Sequence, residues 1–90
     1  MAKRTDANQS EIVNALRLGG ASVTTLHMVG HGFPDIVVGF RGINYLIEIK
    51  TETGKLTNDE IKWHEQWQGQ KATIRTIEEA IELVFGGTNE

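Results

Sequence analysis

The sequence predicts a mixed α/β domain of order αβββαβ(α), with a central four-stranded mixed sheet flanked by helices. Three observations predict it. Two apolar, β-branched runs, Asp35–Phe40 and Ile43–Lys50, are separated only by Arg41-Gly42, the spacing of a tight hairpin. Thr57 with Glu60, and Thr76 with Glu79, repeat the capping-box spacing, so a helix should open on each side of the short run Ala72–Arg75. A strand reached from its neighbour through a helix should join the sheet in parallel.

Taken in order, the elements are these. Asp6 to Leu18 predicts a helix, closed by Gly19-Gly20. Ser22 to Val29 is rich in β-branched residues and predicts a strand, broken by the turn Gly30-His31-Gly32-Phe33-Pro34. The hairpin follows, so the first three strands should form a meander. Asn58 to Gln68 predicts a helix stopped by Gly69, and the last helix should run from Thr76 to Phe85 before Gly86-Gly87. Residues 1–5 and 87–90 are expected to be loose ends. The 90 residues suit one domain, 1–90, with an ordered core at about 5–86.

Composition narrows the function classes. Apolar residues make up 39% and charged residues 23%, as in an ordinary globular domain. The absence of cysteine removes disulfides and thiolate metal sites, and it fits a reducing cytoplasm. No apolar stretch follows Met1-Ala2-Lys3-Arg4, so no signal peptide is expected, and no run approaches a membrane span. The net charge of -3 is unusual for a nucleic-acid binder. Carboxylates gathered around a bound cation would reverse that sign locally.

The hairpin carries the most specific arithmetic. If Arg41-Gly42 is the loop, Phe40 faces Ile43 and Asp35 faces Glu48, with Cβ atoms about 5 Å apart. Lys50, two residues on, shares their face. Facing carboxylates destabilise a bare sheet; a divalent cation between them makes the arrangement sensible. Oxygen ligands alone suit Mg²⁺ or Mn²⁺, as one ion or two. A lysine beside such an ion can orient a water or steady charge on a phosphate, which points to metal-assisted phosphodiester hydrolysis. The opposite face, Ile36, Val38, Phe40, Ile43, Tyr45, Ile47 and Ile49, must lie on the core. The first helix is expected over the site face, with Glu11 in a stripe of Ala7, Ala15 and Leu18 and completing the metal site directly or through water.

Other residues have plainer readings. Glu-x-Lys on a strand is commonly an exposed ion pair, and Asp after Pro commonly starts a strand; their joint register is what favours a site. His27, His31 and His64 lack zinc spacing and are assigned no metal. Trp63 and Trp67, four apart on a helix, favour core or interface packing over base stacking. Lys55, Arg41 and Lys62, with Lys3 and Arg4, are weak candidates for phosphate contacts, since scattered surface charge explains them equally well.

From Gly32-Phe33-Pro34-Asp35 and Glu48-Ile49-Lys50, the chain resembles the PD-(D/E)xK nuclease superfamily. More narrowly it resembles the minimal VRR-NUC domains of phages and bacteria, from about Thr5 to Val84. Asn8-Gln9, Glu11, Leu16-Arg17, Gly19-Gly20 and Lys55-Leu56-Thr57 add to the likeness. The resemblance implies a restriction-endonuclease-like core and Mg²⁺- or Mn²⁺-dependent cleavage of DNA. It implies Asp35, Glu48 and the Ile49 main-chain carbonyl as metal ligands and Lys50 as the catalytic lysine. Glu11 matches the first-helix acid, with Gln9 beside it. Stand-alone relatives resemble junction resolvases, which implies a homodimer cutting branched DNA such as four-way junctions or flaps, in a bacterial or phage-infected cell. Neither a nucleotide cofactor nor a membrane partner is implied. Relatives often carry glutamine near the start of the second helix, where this chain has Glu60 and Ile61. The competing expectations are a non-enzymatic DNA- or protein-binding module on the same fold, and a restriction-type or fork-processing nuclease. For the last, the chain lacks room for a target-reading domain.

Overall fold

A computed structural model describes the backbone of residues 4–86 and the side chains of residues 7–86. Its elements are α1 (Arg4–Leu18), β1 (Ser22–Thr25), β2 (Ile36–Phe40), β3 (Ile43–Ile49), α2 (Asn58–Gln66), β4 (Lys71–Ile74) and α3 (Ile77–Ile81), which widens into a π-helical turn, Glu82–Gly86. The sheet runs β1-β2-β3-β4, antiparallel through the first three strands and parallel between β3 and β4. This is the mixed four-stranded sheet flanked by helices that the sequence predicts.

Register follows from the hairpin loop. Arg41 and Gly42 both take left-handed backbone angles, with φ of 54° and 79°, as a two-residue turn matched to strand twist requires. Phe40 then pairs with Ile43 and Ile36 with Ile47. One face of the hairpin therefore collects Ile36, Val38, Ile47 and Ile49, all buried, and Ile74 of β4 joins them.

The first correction concerns what covers that face. Ile12, Val13 and Leu16 of α1, with Ala80 of α3 and Val84, pack on the apolar side of the sheet. The helix was expected over the other side, on a stripe containing Glu11 and Leu18. Glu11 is exposed and Leu18 is 89% exposed. Ile12 and Leu16, one turn apart and joined by Val13, form the more apolar stripe, and burial of apolar surface decides the rotation of the helix.

Strand β1 is also shorter than expected. Beyond Thr25 the register calls for Asp35 and then Pro34, and proline has no N–H to give a ladder. The chain turns instead: the Leu26 amide donates to the Asp35 carbonyl and the Val29 amide to the Leu26 carbonyl. Helix α1 begins two residues earlier than expected, and the expected loose ends otherwise lie outside the described residues. Helix α2 opens with a full capping box, Thr57 and Glu60 bonding each other's backbone amides. The box expected at Thr76 is only half formed, because the Glu79 carboxylate accepts from the Arg75 amide instead. Among the described residues no helix is long and apolar enough to cross a membrane.

The turn before β2 docks α2. Gly30, His31 and Gly32 hold φ of 72°, 57° and 81° in succession. A Cβ on Gly32 would collide with the Asp59 carbonyl and approach the Glu60 amide to 2.9 Å, whereas a Cβ on Gly30 would meet open space. Gly30→Ala should therefore lose only the left-handed backbone term, about 1–2 kcal/mol. Gly32→Ala should lose that and the helix contact, at least ~2 kcal/mol in all. Equal losses in urea denaturation would show that the contact with α2 contributes nothing.

Candidate metal centre beside helix α2

Asp35 stands immediately before β2, where its amide donates to the Ile47 carbonyl at 3.0 Å. Its carboxylate lies along β3, and Oδ2 accepts the Ile49 amide at 2.7 Å. Glu48 is the buried charged residue of the sheet, 2% exposed. Its Oε2 lies 3.5 Å from Lys50 Nζ, while its Oε1 is buried and has no hydrogen-bond partner among the described residues. The structure thus brings Asp35, Glu48 and Lys50 together on the face opposite the apolar core.

Helix α2, not α1, covers this face. Glu60 Oε1 reaches Lys50 Nζ at 2.9 Å and accepts the Thr57 amide at 2.8 Å. His64, one turn on, bonds the Glu60 carbonyl through Nδ1 at 2.9 Å and contacts Thr73 Oγ1 through Nε2 at 3.4 Å. Thr73 is the β4 partner of Glu48, so His64 ties the helix to the strand beside the site. Glu60 is the residue that sequence reasoning left out of the site. Its capping role was legible from Thr57, but its reach to Lys50 depends on how α2 crosses the sheet.

The backbone of Lys50 is held as firmly as its ammonium. Its amide donates to the Ile74 carbonyl at 3.0 Å, and Asn8 Nδ2 donates to its carbonyl at 3.0 Å. Arg75 Nη1 donates to the carbonyls of Thr51 and Gly54, each at 2.6 Å, and so fastens the turn that follows.

Electrostatics sort the four charged groups. Burial pushes the Glu48 carboxyl up to about 9, helped by the facing charge of Asp35 and by Glu60. Burial also raises Asp35, against the opposing bond from the Ile49 amide. Burial alone would lower Lys50, but the carboxylates of Glu60 and Glu48 outweigh it and hold the ammonium above its ordinary value. Glu60 is lowered, because Lys50 and the Thr57 amide overcome its own partial burial. Three acids thus share one ammonium, and Glu48, the most buried of them, is the one that holds its proton.

The remaining expected residues lie elsewhere. Glu11 is exposed and lines a separate groove with Asn8, Thr51, Glu52 and Arg75; it is not among the charges that act on Asp35 or Glu48. Gln9 lines another groove, with Arg17 and Thr25. Arg41 caps the far end of the hairpin, its guanidinium 5.2 Å from the Phe40 ring centroid. Lys55 and Lys62 are exposed before and on α2, and the side chains of Lys3 and Arg4 lie outside the described residues. Among the described residues no three Asp, Glu or His side chains gather as a ready-made metal cage.

No family model matches this chain. No curated relative matches it either. A solved structure described as a VRR_NUC domain superposes with a TM-score of 0.75 at 18% identity, covering 98% of this chain and 100% of that one. At that identity the likeness shows a shared fold. The chain therefore has the fold of that VRR_NUC domain.

Glu48 sets a pH dependence with a definite sign. Its folded value lies above its unfolded one, so between about pH 4.5 and about pH 9 the folded chain keeps a proton that the unfolded chain has released. In chelator, stability is expected to fall as pH rises through that window. Glu48→Gln should remove most of the slope and stabilise the protein near neutral pH, because the folded chain no longer has to take up a proton that the unfolded chain lacks. A flat profile in the native protein, or a less stable E48Q, would show instead that the carboxylate is fully compensated.

Proposed function

We propose that this protein is a metal-dependent endodeoxyribonuclease of the VRR-NUC type, a single domain across residues 1–90. The observation that carries the proposal is Glu48. Its carboxylate is buried, faces Asp35 and leaves Oε1 without a partner, beside the Lys50 ammonium. A buried, unpaired acceptor is costly. A divalent cation removes that cost, so the donor set fits Mg²⁺ or Mn²⁺.

Asp35, Glu48 and the Ile49 main-chain carbonyl would hold the ion or ions, with waters completing a small set of protein ligands. When bound, the metal supplies Lewis acidity and lowers the pKa of a coordinated water. The chain's own contribution lies in Lys50. Its ammonium, kept charged and steered by Glu60, can orient a water through its protons or steady the negative charge growing on a phosphate oxygen. Glu60 thus takes the supporting position expected of Glu11. Gln9 and Arg41 are left out of this set, while Lys55, before α2, and Lys62, on it, would serve as phosphate contacts.

Branched DNA, a four-way junction or flap, is the proposed substrate, and a homodimer in the cytoplasm of a bacterial or phage-infected cell the proposed working form. One alternative is a non-enzymatic module that binds DNA or protein, since among the described residues no three acids gather as a ready-made cage. Calorimetry separates the two: the nuclease reading expects Mn²⁺ binding that Asp35→Asn abolishes, the module reading none.

Cleavage of labelled junction, flap and duplex DNA with Mn²⁺ tests the proposal. Lys50→Ala is expected to slow cleavage by about 10²–10³-fold, the usual range for removing one preorganised donor to developing negative charge. Undiminished cleavage by K50A, or no cleavage of any substrate by the native dimer, would end it.

A further inference from the structure

Helix α2 is at odds with its own tryptophans. Spacing favours Trp63 and Trp67 as packing residues, yet no residue of α2 is fully buried. Trp63 is half-buried and Trp67 is 38% exposed. Their rings stack on each other, with centroids 4.9 Å apart and planes 18° from parallel. Phe33 meets both at steep angles, 5.2 Å from Trp63 and 6.2 Å from Trp67. Trp63 therefore stacks on Trp67, and Phe33 braces it edge-on. Away from them, Trp67 has no aromatic partner among the described residues.

This platform points back to the metal centre. Glu60, Trp63 and His64 form one stripe of α2, and Trp67, the residue that caps its C-terminal end, continues it. The stripe begins on Lys50 and ends at Trp67, roughly 10 Å further along the helix axis. Phe33, which braces the rings, lies two residues before Asp35. At the exposed end, the Lys71 ammonium donates to the Trp67 main-chain carbonyl at 2.7 Å, so a positive charge is held at this residue's backbone.

We infer that Trp67 is a stacking platform for an unpaired nucleobase of the substrate, held beside the cutting site. The inference rests on the nuclease reading and narrows its substrate to DNA with an unpaired base near the scissile phosphate. An indole face matches one base and is tolerant of which base it is. Lys71 supplies a cation for the adjoining phosphate. The platform is rigid before binding, since Trp63 and Phe33 already fix the ring, which limits the entropy lost on stacking. A second copy of the chain suits this patch less well. Trp67 and Ile61, at 38% and 40% exposure, together leave on the order of 150 Å² open. A standard protein interface takes about 800 Å² from each partner.

Fluorescence and anisotropy in chelator, where nothing is cut, test the inference. A short fluorescein-labelled oligothymidylate should bind the native protein, and the unlabelled oligomer should quench its tryptophan emission. Blunt duplex of equal length should quench it much less. Trp67→Leu should weaken the single-stranded oligomer by about tenfold or more, since stacking of one base is worth about 1–3 kcal/mol. Trp67→Phe should retain most of the affinity, and duplex binding should change by less than about twofold in either variant. Unchanged oligothymidylate affinity in W67L overturns the inference. So does equal quenching by duplex and single strand in the native protein, a result that needs no variant to fold. A native dimer that W67L converts to a monomer in sedimentation would also overturn it, assigning the patch to a second copy. Cleavage with Mn²⁺ is measured in parallel: cutting without stacking removes this inference and leaves the nuclease reading, whereas stacking without cutting does the reverse.

Discussion

The two-residue turn at Arg41-Gly42 decides which side of the sheet every hairpin residue takes. With that loop, Ile36, Val38, Ile47 and Ile49 fall on one face and Asp35, Glu48 and Lys50 on the other. One residue more in the loop would exchange the faces of one strand, putting an acid into the core and an isoleucine into the site. The core and the charged centre are therefore two sides of one constraint. Each helix is then drawn to the face that suits it: α1 by apolar burial, α2 by the charged and aromatic stripe it carries.

The charged face does not balance by itself. Asp35 and Glu48 are neighbours, Glu48 is almost wholly buried, and Lys50 is shared with Glu60. A protein selected only for stability would neutralise such a group, and the raised Glu48 pKa reports the conflict. Strain of this kind, retained on rigid strands and braced by Asn8 and Arg75, is what a preorganised cation site requires.

Much of this was legible in the residues. Hairpin register, the parallel fourth strand and the nearness of Asp35 to Glu48 all follow from loop length and alternation, which are local rules. The misplaced elements depend on tertiary choices. The rotation of α1 turned on whether Ile12 and Leu16 or Ala15 and Leu18 faced inward, and only the competing burial of the whole sheet decides that. Glu60 was readable as a cap and unreadable as a partner of Lys50, because nothing in its own neighbourhood states where α2 lies. The end of β1 was overestimated for a different reason: the run to Val29 has strand propensity, but Pro34, which the register sets opposite His27, has no N–H to extend the ladder.

One small contact has wider reach. Gly32 lies backbone against backbone on the first turn of α2, so the loop that leads into Asp35 and the helix that carries Glu60 share a seam with no side chain to cushion it. Two segments far apart in sequence thereby behave as one mechanical part. A displacement of the loop, which precedes one acid of the centre, is transmitted directly to the cap that steers Lys50. Sequence drift in the Gly30–Pro34 loop and in Thr57–Glu60 is correspondingly tied together: a change in either must be answered in the other for the acids and the lysine to keep their spacing.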